Sequence, residues 1–243
     1  MNPVPLEEII RQRRSIRIFD ETHDFDHHAV TKALELAMLA PNSSNLQTWE
    51  FYRIRSKEKI SRLLPLCFYQ NACRTASELV LFVSRRDKWK ERCQWHLADI
   101  RKQLAEGSKN EKRLKKGLGY YGWTIPLAYR SDVFGFFSFI RFLIILYRDL
   151  IRKPIIRWVS KQDTRVVSHK SLALAAENFM LSLKEQSYDT CPMEGFDEKK
   201  VKKLLRLDKK AEISMIIACG KGKPEGIYYE RRRLAYADVV FEL

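Results

Sequence analysis

The chain has 243 residues, which is long enough to bury one sizeable hydrophobic core. Hydrophobic residues make up 45% of it and aromatic residues 12%, and this composition excludes an intrinsically disordered protein. The formal net charge of +15 favours an anionic partner, but no recognisable nucleic-acid-binding module accompanies it, so we expect no nucleic acid.

The first predicted element is a short helix after Pro5, which leads into Arg13-Arg14-Ser15-Ile16-Arg17-Ile18-Phe19. Guanidinium groups offer forked donors that match phosphate oxygens, and the hydroxyl of Ser15 adds another donor. The segment therefore predicts the phosphate end of a site for an anionic ligand. A solvated basic turn is the alternative interpretation.

A second helix is predicted from Asp26, as N-cap, to the residues before Pro41, because apolar residues recur there on one helical face. The loop that follows, Ala40-Pro41-Asn42-Ser43-Ser44-Asn45-Leu46-Gln47-Thr48-Trp49, is rich in amides and hydroxyls. Such a loop between a helix and a strand is suited to binding a polar ligand.

Strand patterns and helix patterns interleave along the rest of the chain without internal repeats. The predicted strands are Trp49–Arg55, Leu79–Val83, Glu212–Cys219 and a last short strand at Asp238–Leu243. Helices are predicted at Lys57–Leu64 and Asp87–Glu106, after Ser168 as a cap, and after Asp197 as a cap. Together they predict an α+β fold in which helices surround a small mixed β-sheet.

The stretch Val133–Ile151 is apolar and aromatic, and its length approaches that of a membrane span. Arg141, Arg148 and Asp149 interrupt it, and a charge within a span is costly, so a transmembrane helix is disfavoured. We favour a helical insert buried at a dimer core or over a pocket. A helix lying on an anionic membrane surface is the second alternative, because basic residues surround the apolar ones.

Five scattered cysteines without a C-x-x-C pair are typical of a reducing compartment, and the N-terminus has no secretory-signal pattern. The sequence therefore predicts a cytoplasmic protein and leaves peripheral membrane contact open. The histidines lack metal-ligand spacing, so we expect no metal site.

Three motifs together resemble the nitroreductase family of flavin mononucleotide (FMN) enzymes. They are the R-R-S-x-R-x-F start at residues 13–19, the A-P-N-S-x-N-x-Q-x-W segment at residues 40–49, and the P-x-E-G-F turn at residues 192–196. The basic cluster at residues 231–233 falls where the family has its second phosphate contact. The resemblance covers residues 6–83 and 168–243 of one domain, 1–243, with a family-atypical insert at about 84–167.

The resemblance implies an oxidoreductase that transfers electrons from NAD(P)H through bound FMN to a nitroaromatic, quinone or enone acceptor by a ping-pong mechanism. It also implies a homodimer with FMN at the subunit interface. A non-enzymatic basic protein that binds anions or a membrane surface is the alternative.

The same resemblance implies roles for particular residues, with no catalytic side chain because FMN carries the chemistry. Those expected at the phosphate and ribityl end are Arg13, Arg14, Ser15, Arg17, Arg231 and Arg233. Those expected beside the reactive flavin nitrogen N5 are Pro192, Met193, Glu194 and Gly195. Those expected to cover the ring from the other subunit are Pro41, Asn42, Ser43 and Asn45. Gln70 is expected to contact the flavin through its amide.

Overall fold

The computed structural model describes residues 4–130 and 135–243, and these residues form ten α-helices and four β-strands. The elements up to the second strand are α1 (Leu6–Gln12), α2 (His27–Met38), β1 (Trp49–Ile54), α3 (Lys57–Leu63), α4 (Asn71–Thr75) and β2 (Glu78–Ser84). The middle helices are α5 (Trp89–Ala105), α6 (Glu111–Gly119), α7 (Ile125–Tyr129) and α8 (Phe136–Leu150). The last elements are α9 (Lys161–Glu185), β3 (Asp189–Met193), α10 (Glu198–Leu205) and β4 (Glu212–Gly220).

The four strands form one sheet in the order β1-β2-β4-β3, and each neighbouring pair is antiparallel. The prediction of a mixed sheet is therefore wrong for the described strands. A single isolated parallel bridge joins Ser15 to Thr190 beside the sheet. The prediction also lacked β3, whose Pro192 and Met193 we assigned to a turn. Proline is tolerated there because β3 lies at the edge of the sheet.

Helices cover both faces of the sheet, as the α+β prediction requires. All seven residues of β2 are buried, because β2 is a central strand with a core on either side. On one side Leu63 of α3 and Val201 of α10 pack in the core, and on the other Ala33 of α2 and Phe179 of α9 do so. Apolar side chains on both faces explain why β2 reads as a continuous hydrophobic run in the sequence.

The longest helix, α9, begins earlier than predicted. Its N-cap is Ser160, which forms a capping box with Asp163, and not Ser168. Ser168 is buried inside the helix, where its hydroxyl lies 2.9 Å from Thr48 Oγ1 and 2.8 Å from Ser84 Oγ. The N-caps predicted at Asp26 and Asp197 are confirmed.

The C-terminal segment, residues 227–243, is exposed at every position. The strand predicted at Asp238–Leu243 is wrong: this part of the described chain contains only a short 3₁₀ turn, Tyr236–Asp238. Several large apolar side chains of the segment are in solvent within one chain, namely Tyr229, Leu234, Tyr236, Val239 and Phe241.

The predicted insert Val133–Ile151 contains α8, although residues 133 and 134 lie outside the described ranges. Within one chain only Arg141 and Ile145 of α8 are buried, so burial of this helix at a dimer core or over a pocket stays a prediction. The outward side is apolar, and it carries Phe139, Phe142, Leu143, Leu146, Tyr147 and Leu150. Among the residues that the structure describes, no helix has both the length and the hydropathy to cross a bilayer.

Candidate functional site

The arginine segment lies between β3 and the start of the C-terminal segment. After α1 the chain becomes extended, and Ile16 N donates to Thr190 O at 3.0 Å while Arg17 N donates to Gly226 O at 2.9 Å. Gly226 has no room for a side chain, because a Cβ atom there would lie 2.8 Å from the backbone of Ile18. These contacts bring residues 13–17 close to β3, which leads to residues 192–195, and to the start of the segment that contains residues 231–233. Both later segments were predicted to belong to the site.

The predicted phosphate-binding residues come together around a small cavity of about 210 Å³. Arg14 Nη2 donates to the carbonyl of Tyr229 at 2.6 Å, and the Arg231 guanidinium donates to the carbonyl of Arg13. The side chains that line the cavity include those of Arg13, Arg14, Ser15, Arg17, Arg231, Arg232 and Arg233. We call this set the arginine cluster.

The arginine cluster carries an excess of positive charge. Desolvation, followed by repulsion from Arg14 and Arg233, lowers the pKa of Arg231. Arg13 Nε is buried and makes no hydrogen bond within the described residues, and the carboxylate nearest to it in an ion pair is Glu177, at 3.5 Å. A buried guanidinium N–H without an acceptor is costly, so the residues present fit a bound phosphate.

Two residues outside the predicted set belong to the site: Tyr228 lines the cavity, and Asn71 contacts Tyr228. The Arg17 guanidinium carbon lies 5.2 Å from the ring centroid of Tyr228, at cation–π distance. The Tyr228 hydroxyl accepts a hydrogen bond from Asn71 Nδ2 at 2.9 Å. An aromatic residue close to an arginine run was the available signal for Tyr228, and the neighbouring Gln70 was the signal for Asn71.

Gln70 and Gly195 were predicted from separate motifs, and the structure places them in contact. Gln70 Nε2 donates to Gly195 O at 2.7 Å and to Cys67 O at 3.1 Å. Glu194 and Gly195 are exposed at the end of β3, and Met193 is buried in the core. The turn at 194–195 is thus exposed to a ligand, and the side-chain amide of Gln70 holds it through the bond to Gly195 O.

The loop that contains Pro41, Asn42, Ser43 and Asn45 has an unusual backbone, since Ser44, Asn45 and Gln47 all have positive φ. Asn42 supports this conformation by accepting a hydrogen bond from Gln47 N at 2.9 Å. Outside the loop, His96 Nε2 contacts Asn45 O at 2.7 Å, and Ser43 N donates to Ser171 Oγ at 3.2 Å. Left-handed backbone at non-glycine residues is costly and is concentrated at functional sites.

Helix α9 connects the two halves of the predicted site. It contributes Glu177 to the arginine cluster and Ser171 to the 41–47 loop. These residues are six positions apart, which corresponds to roughly 9 Å along a helix. Within the described residues, no hydrogen bond or ion pair joins the 41–47 loop directly to the arginine cluster. Glu177 was missed because one acidic residue on a long helix gives no signal in the sequence.

The described residues contain no group of three His, Cys, Asp or Glu side chains placed to hold a metal ion. The five cysteines are all buried and unpaired. The arrangement therefore offers an anion-binding cluster, an exposed turn and a polar loop.

The family model described as Nitroreductase family matches residues 10–221. MhqN of Bacillus subtilis, provisionally designated an NAD(P)H nitroreductase, is 26% identical over 217 residues, which cover 89% of this chain and 88% of MhqN. Protein DrgA of Synechocystis is 28% identical over 88% of this chain and 82% of DrgA. A provisionally assigned nitroreductase of Exiguobacterium sibiricum, solved in complex with FMN, superposes with a TM-score of 0.70 at 20% identity and covers 100% of this chain and 99% of its own.

Proposed function

The chain belongs to the nitroreductase family, and on that premise we propose that it is an FMN-dependent oxidoreductase with NAD(P)H as electron donor. The observation that carries the proposal is the arginine cluster with its buried, unsatisfied Arg13 Nε. Relatives designated NAD(P)H nitroreductases and the FMN complex of a structural relative support the choice of cofactor. The enzyme occupies one domain, residues 1–243.

In this proposal the arginine cluster, which includes Ser15, binds the FMN phosphate and the ribityl chain. Pro192 and Met193 at the end of β3, with Glu194 and Gly195 in the turn that follows, lie beside the reactive part of the ring, and Gln70 holds that turn by its bond to Gly195 O. FMN held by these residues would supply the redox chemistry, namely hydride acceptance from NAD(P)H and electron transfer to the acceptor in a second half-reaction. The acceptor is a nitroaromatic, quinone or enone.

We propose that the functional unit is a homodimer with FMN at the subunit interface. The exposed C-terminal segment supports it: five large apolar side chains in solvent are unfavourable at about 25 cal/mol per Å² of apolar surface. Burial against a second copy removes that cost. The 41–45 loop, with Pro41, Asn42, Ser43 and Asn45, then covers the ring of the partner's cofactor.

We place the protein in the cytoplasm, because five unpaired cysteines suit a reducing compartment. We also propose peripheral contact between the outward side of α8 and an anionic membrane surface. Its apolar side chains are exposed, and Arg152 and Lys153 follow its C-cap residue Ile151.

The visible absorption spectrum of the freshly purified protein tests the main proposal. We expect flavin bands at about one FMN per chain, which disappear under anaerobic NAD(P)H and return with acceptor. A colourless protein that cannot be reconstituted with FMN, yet still binds phosphate or anionic vesicles, would favour the non-enzymatic alternative.

A further inference from the structure

A second cavity, of about 370 Å³, lies between the 41–45 loop and the helices of the middle segment. Its walls come from the loop, a π-helical turn (Tyr120–Thr124), α7, α8 and residues 155–158. The volume falls in the range of small-molecule sites. We call this cavity the aliphatic pocket.

The walls of the aliphatic pocket are dominated by branched aliphatic side chains. The branched ones are Ile125, Leu127, Ile144, Ile145, Ile155 and Ile156, and Ala128 also lines the pocket. Trp158 is the one indole among the lining residues. Such walls favour a flexible hydrocarbon chain, which gains from burial without needing a hydrogen-bonding partner.

Hydroxyl groups lie together on one side of the pocket. Ser43 and Ser44 come from the loop, and Ser44 Oγ is 2.7 Å from the hydroxyl of Tyr120. The pocket is thus amphipathic, with hydroxyl groups at the loop and mainly aliphatic walls, among which Thr124 and Arg141 are the other polar lining residues. This is the same loop that the proposed function places over the flavin ring.

Arg141 fixes the shape of the pocket. It is buried, and it donates to the carbonyls of Leu127, Arg130 and Val159 at 2.8–2.9 Å. These bonds hold α8 against α7 and against the segment that precedes α9. The pocket is therefore a built cavity whose walls are tied together by a buried side chain.

We propose that the aliphatic pocket binds the hydrocarbon chain of an amphiphilic electron acceptor, whose reducible head lies at Ser43 and Ser44. Reduction of the head group rests on the proposed function. Binding of the hydrocarbon chain rests on the aliphatic pocket alone. For a quinone head the overall step is balanced: NAD(P)H and one proton from solvent give a hydroquinone and NAD(P)⁺.

The kinetic test compares two 1,4-benzoquinones that differ only in an n-decyl or a methyl substituent. One buried methylene is worth about 0.8 kcal/mol, or roughly fourfold, so a few buried methylenes should lower the KM for the decyl compound by at least about tenfold. Ile156→Glu should remove most of that difference, since Ile156 lines the pocket and is itself 65% exposed. Ala98→Glu, at an exposed position of α5, is the matched control and should preserve it.

The binding test uses tryptophan fluorescence and does not depend on flavin or turnover. The decyl quinone should quench the protein more strongly than the methyl quinone at equal concentration. Trp158→Phe should abolish the additional quenching by the decyl quinone, because Trp158 lines the pocket. Trp95→Phe, at an exposed site on α5, should keep that additional quenching.

The two tests separate failure of the inference from failure of the proposed function. Chain-dependent quenching in a protein that binds no FMN would support the pocket and overturn the flavoenzyme. FMN-dependent turnover with equal KM values, and with quenching that Trp158→Phe leaves unchanged, would overturn the pocket and leave the flavoenzyme intact.

Discussion

Gln70 Nε2 donates a hydrogen bond to Gly195 O at 2.7 Å, and it joins two segments that are 125 residues apart in the sequence. The contact is close enough that a Cβ atom on Gly195 would lie 3.2 Å from the same nitrogen. The second bond of that nitrogen, to Cys67 O, anchors the amide in the turn before α4. The 194–195 turn is therefore held by the turn before α4, through Gln70.

The first prediction follows from this bond. Gln70→Leu leaves the Gly195 carbonyl without its donor and frees the turn, and a neutral hydrogen bond contributes about 1 kcal/mol. We expect FMN to bind several-fold more weakly, as measured by titrating the apoprotein with FMN. Gln103→Leu is the control, because its amide bonds only to Asp99 on the same exposed helix surface. Equal losses in both variants would show that Gln70 has no special role.

The second prediction concerns the arginine cluster. A charge-assisted hydrogen bond contributes about 1.5–3 kcal/mol, so Arg13→Ala should raise the Kd for FMN about tenfold or more. Arg233→Ala should have a comparable effect, because Arg233 lines the same cavity.

Arg113→Ala is the charge-matched control for these variants, because Arg113 is exposed on α6. It removes one positive charge and should leave the Kd unchanged. A similar loss of affinity in all three variants would mean that FMN responds to the overall charge of the protein, and not to a built phosphate site.

The arginine cluster could be predicted from sequence because its members lie in two contiguous runs, residues 13–17 and 231–233. The residue types in these runs indicate anion binding by themselves. The residues that contact the cluster could not be predicted from sequence. Glu177 reaches Arg13 and Tyr228 reaches Arg17 only through the fold. Glu78 shows the same limit: it is fully buried between Arg53 and His27, yet it precedes a predicted strand like any solvated residue.

The sheet shows where local patterns fail. β1, β2 and β4 were predicted within one or two residues, because each is a run of apolar or aromatic side chains. β3 contains Pro192 and lies at an edge, so its strand character comes from pairing with β4 and not from its own composition. Hydropathy also cannot tell what covers the apolar side of α8, because the same pattern suits a dimer core, a pocket or a membrane surface.

The third prediction is a pH dependence of stability that arises at Glu50. Burial favours a higher pKa for this carboxylate, but hydrogen bonds from Lys88, Tyr52 and Arg85 lower the pKa to about 2. Because the pKa is lower in the folded state than the ordinary 4.5, the carboxylate stabilises the fold above about pH 4.5. That stabilisation is lost as the pH falls towards 2, and it is on the order of 3 kcal/mol at pH 7.

Urea unfolding of Glu50→Gln between pH 7 and pH 2 tests this assignment. The variant should be less stable at pH 7, and its free energy of unfolding should fall less steeply with decreasing pH below about 4.5. Glu58→Gln provides the control, since the Glu58 side chain is 80% exposed and its ion pair with Arg62 spans 3.8 Å. If the free energy of unfolding of Glu50→Gln falls as steeply at low pH as that of the parent protein, a group other than Glu50 is responsible for the loss of stability.

The fourth prediction is that the donor and the acceptor use the same open site in turn. The 194–195 turn is exposed, and the sequence has no Gly-rich nucleotide-binding motif that follows a strand and opens a helix and could form a separate nicotinamide site. Initial-rate plots against NAD(P)H at several acceptor concentrations should therefore give parallel lines, as ping-pong kinetics requires. Intersecting lines would mean that both substrates bind together.

The last prediction concerns the outward side of α8. Apolar side chains at Phe139, Phe142, Leu143 and Leu146 follow one helical stripe and are 46–57% exposed. Leu146→Glu places a charge in that stripe without disturbing the inward-facing Arg141. We expect the parent protein to sediment with anionic vesicles at low salt, less so at high salt and not with neutral vesicles, because each basic residue near an anionic surface contributes about 1 kcal/mol. Leu146→Glu should reduce this binding strongly while FMN content stays the same. If Leu146→Glu instead becomes monomeric, and the parent protein does not sediment with vesicles, the apolar stripe is covered by a second copy of the chain.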